Sequence, residues 1–518
     1  MTALFPPRPT RRDVSAVADE WGFALHGRDA SLFAELIGEG VEALSALEPL
    51  LTPAPPDRVR APANVLGEAD NPLGAWAYRC ALTEEEDGPL AGFDVAVKDS
   101  IAVAGVPMQN GSQATAGFVP TRDAVVVRRV LEAGGRIVGK AQCEDFCQGA
   151  QSFTSWPEPV RNPHDPSRSA GGSSSGSAAL VGGGVVPMAI GGDSAGSIRV
   201  PSAYCGVVGL KPTFGAVPFT GAASLEMSLE HLGPITKTVA QNERLFAVLA
   251  GPSASDPRKC AYADRPRPLR PIGRDQAPRR IAIMSEGFGR EGSEAAVDDA
   301  VRAASFRLGE DGLEVATVDS DLLDAAEGVH LIIYLIGMAR LFAQRGTGSG
   351  WLGAYPTDQA EALPDWLSRR DALPDTLVLS LLAGRYLDQR SGGDAYARAQ
   401  NARWTVTAGI DRLLGESDVL LLPTATTTAP PFPDRKAKRA ERLLSAASAA
   451  SNAPAFNLTG HPALSVPCGE VAGLPVGAML VARHGDEAAL FDVARTIEAQ
   501  NSCAHDSSNE RPEPQAVR

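Results

Sequence analysis
The chain has 518 residues, 44% hydrophobic and 21% charged, which is enough for one large α/β domain plus a small one, or for three ordinary domains. Its formal net charge of −14, from 48 Lys+Arg against 62 Asp+Glu, argues against a nucleic-acid or anionic-membrane partner. The 7 cysteines, Cys80, Cys143, Cys147, Cys205, Cys260, Cys468 and Cys503, form no CxxC pair, which argues against a disulfide framework or zinc site and for reduced thiols in a cytoplasmic protein.

The N-terminal MTALFPPRPTRRD lacks the apolar core of a secretory signal, and no run of about 18 apolar residues occurs to span a membrane. Asp13–Trp21 and Asp29–Glu48 are predicted helices, the second with apolar residues at three- and four-residue steps and Asp29 as its N-cap. Pro49, Pro53, Pro55 and Pro56 then mark a linker. Two short helices enclose little core, so they are expected to pack on the main domain or on a second copy of the chain, which makes a homodimer the expected assembly. Beyond the linker, strand and helix alternate. Phe93–Val97, Arg136–Gly139, Ala282–Met284, Glu314–Val318, Val419–Leu422 and Val476–Val481 are predicted strands. Ala124–Ala133, Glu294–Leu308, Tyr396–Leu414 and Glu487–Glu498 are predicted helices, and the grammar is that of an α/β layered fold. Residues 325–395 break it: an apolar His330–Phe342 followed by Gly- and Pro-rich turns around Gly346–Pro356 is expected to wall a pocket. Basic runs at Arg265–Arg280 and Arg435–Arg442 read as a surface loop and a solvated helix face, and the polar chain after Asn501 as a loose tail.

The chemistry is concentrated in Gly171–Phe214, GGSSSGSAALVGGGVVPMAIGGDSAGSIRVPSAYCGVVGLKPTF. Two Gly/Ser clusters bracket an apolar segment, and small residues let backbone approach backbone or ligand closely. That pattern suggests a serine nucleophile with backbone N–H groups as an anion trap. The segment resembles the amidase signature of the serine hydrolase family of that name. GFDVAVKDS (Gly92–Ser100), SDVLLLPT (Ser417–Thr424), NLTGHPALSVPCG and GLPVGAMLVA (Asn457–Ala482) resemble its other blocks. The resemblance covers roughly residues 66–500. It implies an α/β fold with a mixed multi-stranded sheet surrounded by helices. Residues 13–60 also resemble the small helical N-terminal segment of bacterial nitrile-pathway amidases, so 1–65 would be a helical N-terminal segment and linker and 501–518 a tail.

Lys98 ends the apolar run FDVAVK. A lysine at the buried end of a strand loses hydration, its pKa falls, and the neutral amine can act as a general base; on the strand pattern alone it could equally snorkel to the surface beside Asp99. The resemblance selects the base. It also makes Ser173 the bridging hydroxyl, preceded by a cis Gly172–Ser173 bond, and Ser197, 24 positions further on, the nucleophile. The amides of Ser194, Ala195, Gly196 and Ser197 are the oxyanion-hole candidates; the family more often has Gly where Ala195 stands. Asp193 and Arg199 are expected to hold this loop, and Ser174 and Ser175 to cap the following helix. Phe146, Cys147, Gln148 and Leu229 are the expected substrate-binding residues. The implied reaction is amide hydrolysis through an acyl-enzyme, with no metal or organic cofactor. A small, neutral aliphatic or aromatic amide is the expected partner.

Three rival readings compete with this one. Gly172–Gly176 satisfies G-x-S-x-G, but the turn-rich RNPHDPSRSA before it supplies no strand for a nucleophile elbow. A nucleotide site is opposed by the missing Lys in GGSSSGS; GFGREG at Gly287–Gly292 is an isolated dinucleotide match, crowded by Arg290 and Glu291. Within the resembled family, a carbamate, anilide or ester hydrolase and the glutaminase subunit of a tRNA-dependent amidotransferase are the alternatives. His461, between Gly460 and Pro462, reads as structural.

Overall fold
Short apolar runs too brief for a helix pair side by side into one mixed sheet of 11 strands. The computed structural model describes residues 5–51, 70–258, 278–348, 351–434, 436–447 and 452–509. The strands are β1 (Trp76–Leu82), β2 (Asp94–Lys98), β3 (Arg136–Ala141), β4 (Met188–Asp193), β5 (Val208–Lys211), β6 (His231–Thr236), β7 (Arg280–Met284), β8 (Glu314–Val318), β9 (Val419–Pro423), β10 (Ala463–Val471) and β11 (Leu474–Val481). Their order is β1-β3-β2-β4-β6-β5-β10-β11-β9-β7-β8. The β3-β2-β4 and β9-β7-β8 groups are parallel and the other pairings antiparallel. Strands β10 and β11 join through Ala472 and Gly473, both at positive φ as a type I′ hairpin requires.

The six predicted strands are present. Strands β1, β4, β5, β6 and β10 are additional to them. MAIGGD, VGLK and HLGPIT carry Gly or Pro inside short runs, so they lack the β-branched alternation that marks a strand. In β2, Val95, Ala96 and Val97 are fully buried between parallel neighbours, which carries Lys98 to the buried carboxyl end of the strand. The carboxyl end of β4 lies alongside, so Lys98 and the Asp193 loop share one edge of the sheet.

By internal contacts the chain divides into Met1–Asp57 and Arg58–Arg518. The first unit is a pair of helices, Arg11–Glu20 and Gly27–Ser45, followed by a single turn, Glu48–Leu51. Thr10 and Asp13 form a capping box on the first helix. The second is capped at His26, so Asp29 lies in its first turn and is not the N-cap expected above. Small residues, Ala18, Ala30 and Ala34, are buried, while Trp21, Phe23, Leu32, Phe33, Leu36 and Ile37 stay exposed.

Residues 325–395 carry the helices Leu322–Ala343, Thr357–Ser368 and Asp375–Ser391, followed by Asp394–Glu416. By length and composition Leu322–Ala343 could cross a membrane, but half of its apolar window is buried, and it packs on Asp375–Ser391, Asp394–Glu416 and Pro454–Thr459. The last helix, Glu487–Asn509, passes both its predicted end and the predicted start of a loose tail. Gln500 donates to Asp311 at 2.6 Å and Asn501 to the Pro467 carbonyl at 2.5 Å, fastening that stretch to the domain. Pro53, Pro55, Pro56, Cys260, Arg435, most of the Arg265–Arg280 run, and residues 510–518 lie outside the described residues.

Gly384 marks a backbone-to-backbone crossing, where an added Cβ would overlap the Leu335 carbonyl of the neighbouring helix. Gly384→Ala is therefore expected to cost about 1–3 kcal/mol of stability. Gly415→Ala, in open space on a helix, should cost nothing and gain up to about 1 kcal/mol. Urea titration of both variants checks this; equal midpoints would contradict the crossing.

Candidate active site
The carboxyl ends of β2 and β4 and the turn before helix Ser175–Gly182 meet at one buried point. Lys98, 2% exposed, donates from Nζ to Ser173 Oγ at 2.8 Å and to the Gly192 carbonyl at 3.3 Å. The Gly172–Ser173 peptide bond is cis. Ser174 N donates to the Ser197 carbonyl at 3.1 Å, so the two Gly/Ser clusters are tied backbone to backbone. Among the described residues no hydrogen bond joins Ser173 Oγ to Ser197 Oγ; the lysine–serine leg of the expected relay is formed and the serine–serine leg is not. Ser174 sits at the N-cap of the helix, yet its hydroxyl bridges the N–H and carbonyl of Gly192 and does not cap. The Ser175 hydroxyl makes no hydrogen bond among the described residues.

The loop that carries Ser197 is set by a buried ion pair. Arg199 and Asp193, both fully buried, meet through Nη2–Oδ1 at 2.9 Å and Nε–Oδ2 at 3.0 Å. The same carboxylate accepts from Gly196 N at 2.7 Å and Ile198 N at 3.1 Å, which pins the turn on both sides of Ser197. Asn457 closes the network, accepting from Arg199 Nη2 at 2.6 Å and donating to the Asp193 carbonyl at 2.9 Å. Burial alone would raise the Asp193 carboxyl, but the Arg199 guanidinium and the Asn457 amide hold it well below the usual carboxylate range. Of the four candidate oxyanion donors, Gly196 N is therefore already engaged. The amides of Ser194, Ala195 and Ser197 donate to no acceptor among the described residues. The left-handed position of the loop falls on Gly196, φ 116°, and Ala195 keeps an ordinary φ.

Two further residues join this loop to the rest of the site. His330 donates from Nε2 to the Ser194 carbonyl at 2.8 Å; burial lowers its pKa to about 4, so the ring is neutral and the carbonyl fixes its proton on Nε2. Asn457 lies within a motif block, but nothing local distinguishes it from its neighbours. His330 is visible in the sequence only as one histidine on an apolar helix, and its reach to Ser194 depends on the tertiary packing.

A cleft lies between the 219–227 loop and helix Leu322–Ala343. Asn110, Phe146, Leu225, Met227, Phe342 and Trp351 are among its lining residues. Phe146 and Phe342 meet edge to face with centroids 5.8 Å apart. Asn110, Phe146 and Cys147 all have positive φ, a conformation costly for residues other than Gly and concentrated at functional sites. Cys147 Sγ donates to Asn110 Oδ1 at 3.3 Å. A hydrogen bond from Cys143 holds the Cys147 thiol below the ordinary thiol range. Gln148 accepts from Tyr334 Oη and donates to Ser380 Oγ at 2.9 Å, linking the site to two helices of residues 325–395. Leu229 is fully buried in the core; it does not line the cleft, and its carbonyl accepts from His231 Nδ1 and Asn457 Nδ2. In the GFGREG turn Arg290 pairs with Glu327 at 2.8 Å and Asp324 at 3.1 Å, and Gly289 N donates to Asp298.

The Amidase family model matches residues 73–491. An enantioselective amidase of Rhodococcus rhodochrous is 39% identical over 506 residues, 95% of this chain and 96% of its own. One subunit of the glutamyl-tRNA(Gln) amidotransferase of Exiguobacterium sibiricum is 36% identical over 420 residues, 80% of this chain and 85% of its own. A solved amidase structure superposes with a TM-score of 0.63 at 26% identity, over 95% of this chain and 96% of that one.

Breaking the buried pair from one side strands a charge. Arg199→Met is expected to lower the unfolding free energy by about 3–5 kcal/mol, and the double variant Asp193→Asn/Arg199→Met by less, because it removes both charges. Urea titrations of the two variants decide it; equal losses would contradict the clamp.

Proposed function
Since the chain belongs to the amidase family and is an amide-hydrolysing enzyme, we propose that it cleaves neutral aliphatic or aromatic carboxylic amides through an acyl-enzyme on Ser197. The supporting observation is the 2.8 Å contact from Lys98 Nζ to Ser173 Oγ, buried beside the Ser197 loop. With Lys98 as the free amine, Ser173 takes the Ser197 proton and passes its own to Nζ. Ser197 Oγ then bonds to the substrate carbonyl carbon, and the C=O π electrons move onto oxygen. The amides of Ser194, Ala195 and Ser197 receive that oxyanion; one such donor is worth about 2.7–4 kcal/mol of barrier. Collapse breaks the C–N bond, the relay returns the proton to the leaving amine, and water repeats the cycle to release the acid. In free enzymes such hydrogen bonds are often long and tighten on substrate binding, which accounts for the missing Ser173–Ser197 leg.

The largely apolar lining around Phe146, in which Arg345 is the one charged residue, supports an uncharged acyl group. By similarity to the Rhodococcus enzyme, discrimination between enantiomers of such amides is part of the proposal. Carbamates, anilides and esters share the carbonyl chemistry and belong in the same substrate panel. A second reading, a glutaminase that works with partner proteins, rests on the 36% identity with the amidotransferase chain. The exposed apolar face of the N-terminal helices supports a homodimer of free-standing enzyme. A cytoplasmic setting agrees with Cys80, Cys143, Cys147, Cys205 and Cys468 standing outside any disulfide.

Ser197→Ala is expected to abolish turnover of a simple amide by the purified chain while leaving its melting temperature unchanged; measurable turnover would remove Ser197 as nucleophile. Lys98→Ala is expected to lower kcat by about 10²–10⁴-fold. Wild-type activity that appears only with added partner proteins would favour the glutaminase.

A further inference from the structure
Outside the hydrolytic site, Asp411, His461 and His484 bring one carboxylate oxygen and two ring nitrogens within 4.8 Å of one another. Asp411 comes from helix Asp394–Glu416, His461 from the turn after helix Pro454–Thr459, and His484 from the turn after β11. His461 Nε2 lies 3.0 Å and His484 Nδ1 3.9 Å from Asp411 Oδ1. The two rings stand 3.9 Å apart, tilted by 36°.

One residue sets both rings from behind. His484 Nε2 is 3.0 Å from the Thr459 carbonyl, which can only accept, so Nε2 carries the proton and Nδ1 presents a lone pair toward the Asp411 carboxylate. Two acceptors facing each other are matched by a cation, a proton or a water placed between them. His461 Nε2 donates to Asp411 Oδ1 at 3.0 Å, and Nδ1 is 2.9 Å from Thr459 Oγ1, a hydroxyl that can accept as readily as donate, so the ring proton can pass to Nδ1 and leave Nε2 as an electron-pair donor. Metal-bound histidines are held in this way, the far ring nitrogen hydrogen-bonded to a carbonyl or hydroxyl. The turn is braced by Lys211 Nζ, 2.6 Å from the His461 carbonyl. Burial, and then Arg199, push that lysine toward its neutral form.

We propose that Asp411, His461 and His484 bind one zinc-type divalent cation, with water as the remaining ligand. Two imidazoles and a carboxylate are donors that suit Zn²⁺. Asp411, 52% exposed, can close the short distance needed and leaves the solvent side open for the water. The ion would staple three segments of the fold next to Asn457, without entering the chemistry at Ser197.

The test uses the full chain, stripped with EDTA and desalted. Zinc chloride is titrated against a chromophoric chelator, and the melting temperature is followed in parallel. The wild type is expected to take up one tight equivalent, to melt several degrees higher with zinc, and to give tetrahedral cobalt(II) absorption bands when cobalt replaces zinc; amide turnover should be the same stripped or loaded. Asp411→Asn and His484→Gln should each lose the equivalent and the stabilisation. No saturable equivalent in the wild type, or one that survives in both variants, would overturn the site.

Discussion

A guanidinium and a carboxylate, both sealed from water, govern the reactive edge of this molecule. Charges of this kind persist in a low-dielectric interior only when every lone pair and proton is matched, and here they are: Asp193 serves Arg199 twice and the amides of Gly196 and Ile198, while Arg199 also reaches Asn457 and the Ala453 carbonyl. The consequence is geometric. With Gly196 N and Ile198 N both drawn to one carboxylate, the main chain between them can take one course. Ser197 stands in that course, tied to Ser174 through its own carbonyl. The hydroxyl of Ser173, one residue away, holds the Lys98 amine.

The helical layer formed by residues 322–416 completes the site from the other side. It supplies Phe342 to the cleft, Tyr334 and Ser380 to Gln148, and His330 to the Ser194 carbonyl. The helix that supplies Phe342 to the cleft and the loop carrying the candidate oxyanion donors are thus joined by one histidine. A neutral ring suits that role, since its contact with a carbonyl does not change across ordinary working pH.

The sequence disclosed the chemistry more fully than the architecture. The Gly/Ser clusters were legible because low side-chain volume at fixed spacing is a backbone requirement, which local composition reports directly. The strand of Lys98 was legible for the same reason: three apolar residues before a lysine place it at the end of a buried run. Strands β4, β5 and β6 were hidden, because Gly and Pro erase the alternation on which strand prediction depends. Hidden too was the allocation of Gly196 N to Asp193, since four adjacent amides look alike until a side chain elsewhere claims one of them. Leu229, expected among the substrate-binding residues, faces the core, an orientation that only the folded packing reveals. The shared tether of His461 and His484 to Thr459 joins residues that only the finished fold brings together.

The most direct measurement is the mass of the enzyme caught in mid-reaction. Wild-type protein mixed with a slowly deacylated aryl ester, quenched in acid and digested, should show one acyl group per chain on the peptide that contains Ser197. Lys98→Ala should acylate far more slowly at the same residue. Acylation on Ser173 or Ser174 instead, or turnover with no covalent species and no loss on replacing Ser197, would contradict the relay.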